Sequence, residues 1–186
     1  SRLLRLAAEH GLSVGDQHKV PESVFRGTEA MQRGFLQALF TADGTVADSI
    51  AKGASVCLTS ISRALLCDVQ RLLLNFGIAS TLYTERRHGG LRLLPDGRGG
   101  QRPYACQPYH ELVITRDNLA RFAAEIGFLT TAKQQALLAR LAAYPRGPYH
   151  ETFRATFAAL DYEGEEPVYD LTEPATHSFV ANGLVV

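Results

Sequence analysis

Gly34-Phe35-Leu36-Gln37-Ala38-Leu39-Phe40-Thr41-Ala42-Asp43-Gly44-Thr45-Val46 is the stretch on which the fold turns. It closes a strongly helical run over 29–42, which Asp43-Gly44 stops. Gly34, Ala38 and Ala42 recur every four residues, so one flank of this helix carries only small side chains. Such a flank lets a second helix come close. Asp43 then sits one residue before the glycine that breaks the helix. Two helices of this kind, packed together, bring two carboxylates side by side at one end. Paired carboxylates over a duplex suit divalent-metal cleavage of a phosphodiester. The same residues also suit a plain amphipathic core helix with an Asp-Gly stop, and the stretch alone leaves both open.

Outward from it, 3–10 has the pattern of a helix tail ended by Gly11, and His18-Lys19-Val20-Pro21 that of a short extended link. Downstream, 45–50 and 55–59 are rich in β-branched residues and predict two strands joined by a turn at Lys52-Gly53. A helix follows over 62–76, where Leu65, Leu66, Val69, Leu72, Leu73 and Phe76 keep helical spacing before Gly77. Strands are expected over 78–84 and 111–115, with a flexible Gly/Arg-rich segment over 86–108 between them. Asp117 is expected to cap a helix through Ile126, with Gly127 as its stop, and another helix covers 131–143. The order is helix, two strands, helix, two strands, helices. It predicts an α+β fold: one antiparallel sheet, helices on one face and the other face open as a binding surface.

The composition fits a folded protein, with 46% hydrophobic and 20% charged residues among 186. No apolar run approaches a membrane span. Ser1-Arg2-Leu3-Leu4 has neither an initiator Met nor the layout of a signal peptide and reads as a cut end. Cys57, Cys67 and Cys106 lack metal-ligand spacing, which fits a reducing, cytoplasmic setting. The zero net charge hides a step. Up to Tyr144 there are 17 Lys+Arg against 12 Asp+Glu, and from Pro145 onward 2 against 7. The first part can face a polyanion; the second cannot do so easily. Pro145-Arg146-Gly147-Pro148 marks the boundary. Beyond it come only short β-type runs, over 153–160, 168–172, 178–181 and 184–186, with turns at Glu163-Gly164 and Asn182-Gly183. This part is too short to hold a core alone and calls for a partner segment.

Between Arg86 and Arg102, five arginines (Arg86, Arg87, Arg92, Arg98, Arg102) stand against one acid, Asp96. Such a segment is either a phosphate-tracking loop or a solvated one, and Tyr104 and Tyr109 either stack or anchor it. Lys52 adds a cation at a strand turn, whereas Ser55-Val56-Cys57-Leu58-Thr59 is poor in side chains that read base edges. Near the C-terminus His177 follows a Pro-Ala-Thr loop, and an imidazole there can pass protons near neutral pH or be merely solvated.

The stretch 34–46 resembles the LAGLIDADG motif of homing endonucleases, in particular the second copy found in inteins. His18-Lys19-Val20-Pro21-Glu22-Ser23-Val24-Phe25 resembles the Lys-x-Pro segment before that copy, and Leu72-Leu73-Leu74-Asn75-Phe76-Gly77-Ile78 the helix end after it. Val168-Tyr169-Asp170-Leu171-Thr172-Glu173-Pro174-Ala175-Thr176-His177-Ser178-Phe179-Val180-Ala181-Asn182-Gly183-Leu184-Val185-Val186 resembles the C-terminal splicing segment of inteins, most of all those inserted in ribonucleotide reductases. The resemblance implies three parts: the end of a first LAGLIDADG repeat and a linker over 1–28, a second repeat (α-ββ-α-ββ-α) over 29–144, and C-terminal strands of a Hint splicing domain over 145–186. It makes Asp43 a ligand of Mg²⁺ and Lys19 a catalytic lysine near the scissile phosphate. It puts Lys52, Arg86, Arg87, Arg92, Arg98 and Arg102 against double-stranded DNA. His177 becomes the group that assists Asn cyclisation, and Asp170 one that acts at the N-terminal junction and branching step, with no cofactor for splicing. The other implied partners are an upstream segment, carrying the first repeat and the N-terminal splicing strands, and a ribonucleotide reductase host. Two alternatives are a catalytically inactive DNA-binding module of the same fold and a plain α+β interaction domain.

Overall fold

The computed structural model describes residues 5, 8–9, 11, 18–49, 53–97, 99–143, 150, 157, 159–162, 164–167, 172–174, 180–181 and 184–185. The chain divides into two compact units, Ser1–His150 and Glu151–Val186.

In the first unit a short helix α1 (Glu22–Phe25) leads into α2 (Glu29–Asp43), and β1 (Gly44–Ser49) and β2 (Gly53–Ser60) follow. Next come α3 (Arg63–Leu74), β3 (Thr81–Arg87), β4 (Gly90–Pro95), β5 (Gln101–Cys106), β6 (Tyr109–Ile114), α4 (Asp117–Glu125) and α5 (Thr131–Ala142). Strands β1, β2, β6 and β3 form, in that order, one antiparallel sheet. The α+β layout expected from the sequence is therefore present.

Helix α2 starts where the Thr28 side chain accepts from the Met31 N–H, and it buries Gln32, Leu36 and Phe40 at four-residue spacing. Helix α3 starts the same way, the Ser62 hydroxyl accepting from the Leu65 N–H at 3.2 Å. Alternate residues Ala54, Val56 and Leu58 of β2, with Leu112 and Ile114 of β6, turn inward to meet both helices. Phe122 of α4 packs edge-on between Phe40 and Phe128, at 4.9 and 5.5 Å between ring centroids. The opposite sheet face carries Thr45, Ser55, Cys57, Thr59, Thr81, Tyr83, Glu111 and Val113, none of them buried.

Four expectations need correction. The strand expected from residue 78 starts at Thr81, because residues 78–80 finish the preceding turn. Gly77 takes a φ of +63°, which suits glycine, so the Ile78 N–H closes back on the Leu73 carbonyl, while the Ala79 N–H goes to Asn118 Oδ1. Asp117 is the first residue of α4 rather than its cap; Arg116, at φ +58°, holds that position. The segment expected to be a flexible loop is a β-hairpin, with β4 and β5 in register from Gly90↔Cys106 to Pro95↔Gln101. Asp96 closes its turn, its N–H donating to the Gly100 carbonyl and its carboxylate accepting from the Gly100 N–H. The strand expected over 153–160 is not seen at its described residues Phe157, Ala159 and Leu160.

In the second unit β7 (Val180–Ala181) pairs antiparallel with β8 (Leu184–Val185); the turn expected at Asn182-Gly183 lies outside the described residues. No helix among the described residues is long and apolar enough to cross a membrane.

Candidate functional site

The candidate site is built around the end of α2. Leu36 and Phe40 commit one face of this helix to the core with 0% exposure. The opposite flank, Gly34, Ala38 and Ala42, is exposed, and a Cβ added at Gly34 would meet nothing within 4 Å. Asp43 ends the helix, exposed, and its carboxylate makes no hydrogen bond or ion pair among the described residues. An acid in the last turn faces the negative end of the helix macrodipole, so this position does not favour a carboxylate for stability.

Asp43 lines an open depression of about 370 Å³ together with His18, Leu39, Thr59, Ser60 and Ile61. The 18–21 link is held there from α3. The Ser62 hydroxyl donates to the His18 carbonyl at 2.6 Å, and the Val20 N–H donates to Asp68 Oδ2 at 3.2 Å. Lys19, exposed, lies between these two anchors, next in the chain to His18; it is not itself part of the lining of the depression.

No group of three or more His, Cys, Asp or Glu side chains converges among the described residues. Among the described residues the donor set at Asp43 is one unpaired carboxylate, with the Thr59 and Ser60 residues along the same depression. That fits Mg²⁺, which keeps several waters and takes only one or two carboxylates from a protein.

A second cation enters the site. Lys133, in the first turn of α5, donates from Nζ to the Thr41 carbonyl at 2.6 Å and to the Gly44 carbonyl at 2.7 Å. Nothing in the periodicity of 131–143 singles Lys133 out, since its role comes from where α5 crosses the end of α2.

The expected DNA-contacting cations divide. Arg86 is held by Glu111 at 2.7 Å and lies over the Tyr83 ring, so it is not the free phosphate ligand of a mobile loop. Arg87 lies 5.9 Å from the Tyr109 ring centroid. Arg92 and Arg102 share one face of the β4–β5 hairpin with Tyr104; Arg102 Nε donates to the Tyr104 hydroxyl at 2.6 Å. The other hairpin face is Leu91, Leu93, Pro95, Pro103 and Ala105, all exposed. On the open sheet face, burial pushes the Cys57 thiol above its ordinary range. Lys52, Arg98, Asp170 and His177 lie outside the described residues.

A model of the LAGLIDADG-like domain family matches residues 30–127. The chain is 34% identical over 187 residues to ribonucleoside-diphosphate reductase NrdEB subunit alpha of Bacillus subtilis (strain 168), covering 98% of this chain and 17% of that protein. It is 30% identical over 194 residues to a DNA polymerase of Thermococcus litoralis, covering 99% and 10% respectively. It is 30% identical over 153 residues to the ribonucleoside-diphosphate reductase large subunit of Invertebrate iridescent virus 6, covering 81% and 15%. The chain thus spans less than a fifth of the length of each of these relatives.

Proposed function

The chain belongs to the LAGLIDADG-like domain family, and its matches fit an intein with a homing endonuclease domain; from that premise we propose that it serves in metal-dependent cleavage of double-stranded DNA and in protein splicing. Nearly the whole chain aligns with both a reductase and a DNA polymerase. Those two proteins have different chemistry, so a segment common to them is what an insert moving between genes produces. The reductase relatives favour a ribonucleotide reductase as host.

The observation that carries the nuclease reading is the unpaired Asp43 carboxylate at the end of a helix whose small-residue flank is uncovered. That flank suits a second motif helix from an upstream repeat, whose acid would stand beside Asp43. A bound Mg²⁺, held by these carboxylates, would supply Lewis-acid stabilisation at the phosphodiester. Asp43 keeps the hard oxygen donor in place, Lys19 neutralises charge growing on the phosphate, and Arg87, Arg92 and Arg102 hold the backbone of the duplex.

In the full-length protein, Asp43→Asn is expected to lower Mg²⁺-dependent plasmid cleavage by about a hundredfold or more while keeping most of the DNA affinity. Cleavage at the parent rate removes Asp43 from the chemistry. One feature favours a second reading, a DNA-binding module without cleavage: among the described residues the open sheet face is short of free cations, with Arg86 tied to Glu111. Tight duplex binding by the parent with no Mg²⁺-dependent nicking would select it.

The splicing reading assigns 145–186 to the C-terminal strands of a Hint domain, with His177 as proton-transfer group for Asn cyclisation and Asp170 acting at the earlier steps. The likeness of 168–186 to that segment supports it. The proposed setting is a reducing cytoplasm, with Cys57, Cys67 and Cys106 as free thiols.

A further inference from the structure

The last four carbonyls of a helix have no partner inside it. At the end of α2 two carbonyls, those of Thr41 and Gly44, are taken by a single ammonium, Lys133 Nζ, at 2.6 and 2.7 Å. They belong to residues on either side of Asp43. Thr41 is fixed a second time through its side chain, which donates to the Gln37 carbonyl at 2.6 Å and accepts from the Leu129 N–H at 2.8 Å. Leu129 lies in the turn that leads to α5, so one short segment, 129–133, grips the helix end at three points.

The acid is left out of this grip. A lysine at the end of an acidic helix turn would ordinarily gain most by pairing with the carboxylate, since charge-assisted bonds are the stronger ones. Lys133 instead bonds the backbone on both sides of Asp43, and no ion pair joins it to the Asp43 carboxylate. Its charge still offsets the negative end of α2, which otherwise opposes a carboxylate there. We propose that Lys133 is a positioning residue for Asp43: it pins the peptide units around the acid, balances the helix end, and presents the carboxylate unpaired to a divalent cation. This rests on the reading of Asp43 as a metal ligand. It assigns Lys133 no contact with DNA or metal.

The test uses the full-length protein and three measurements: Mn²⁺ binding without DNA by electron paramagnetic resonance, duplex binding, and cleavage. Lys133→Met is expected to bind duplex as the parent does, to bind Mn²⁺ about tenfold more weakly, and to cleave about 10–100-fold more slowly. Lys133→Cys, made with Cys57, Cys67 and Cys106 replaced, should regain both properties when aminoethylation restores a lysine-like ammonium. If Lys133→Met fails to fold, Lys133→Gln carries the same measurements. Mn²⁺ affinity equal to that of the parent overturns the proposal, and so does a loss that aminoethylation leaves unrepaired. Asp43→Asn separates the two levels. If it binds Mn²⁺ and cleaves as the parent does, the metal-ligand reading falls; if it is inert while Lys133→Met matches the parent, only the role of Lys133 falls.

Discussion

At the scale of single residues, Gly44 and Asp43 stand side by side and answer to different constraints. Gly44 is buried, and its backbone is extended, at φ −74° and ψ 151°, which any residue adopts. The need for glycine is steric: a Cβ there would lie 2.4 Å from the Phe40 carbonyl oxygen and 3.0 Å from the Phe40 ring. Gly44→Ala is therefore expected to destabilise the protein by about 1–3 kcal/mol, read as a lower urea midpoint, because backbone or a core ring must move. A midpoint equal to that of the parent would show that the end of α2 yields freely. Asp43→Asn should leave the midpoint unchanged or raise it slightly, since the carboxylate has no partner to lose and faces the negative end of the helix. A residue that contributes nothing to the fold is better explained by what it meets from outside. The sequence placed the acid and the glycine correctly. It could not tell a steric glycine from a conformational one, because both look like a helix stop.

At the scale of elements, the helices were legible because their apolar spacing and caps agree. The spacing over 62–76 predicts a helix, and α3 runs Arg63–Leu74, with Ser62 as its cap. The β4–β5 hairpin was not legible. Its glycines, prolines and arginines look like a loop, and the apolar-polar alternation of Leu91-Arg92-Leu93 breaks at Leu94, too soon to outweigh them. A different pairing, β3 with β6, puts Glu111 of β6 opposite Tyr83 of β3, within reach of Arg86. Glu111→Gln is expected to release the Arg86 guanidinium. On the proposed DNA-binding face it should tighten duplex binding and steepen the salt dependence of log K by about one unit, the contribution of roughly one added phosphate contact. Fluorescence anisotropy across a salt series reads this directly. Weaker binding with a shallower slope would mean that Glu111 orients Arg86 on the duplex rather than withholding it.

At the scale of the whole molecule, the charge step between the basic part up to Tyr144 and the acidic part from Pro145 is consistent with the two proposed partners, a polyanion for the first and splicing strands for the second. In a precursor that carries the flanking splicing segments, His177→Ala should slow cleavage at the C-terminal junction by about a hundredfold, the effect of losing a positioned proton-transfer group. A gel time course separates precursor, N-cleaved and C-cleaved products; unchanged C-terminal cleavage by a folded His177→Ala protein would remove the assignment. The sequence by itself determined the α+β order, the helix that carries Asp43, and the likeness from which the family followed. These rest on local period and on short motifs, and both survive in one dimension. Only the tertiary structure decided that Lys133 reaches the carbonyls beside Asp43, that Arg86 is held by Glu111, and that the arginine-rich segment pairs with itself. The first two join residues whose spacing in the chain carries no signal, because a hydrogen bond or ion pair depends on distance in space, which the approach of α5 to the end of α2 and the pairing of β3 with β6 create; the third is local, but its glycines and prolines hide it.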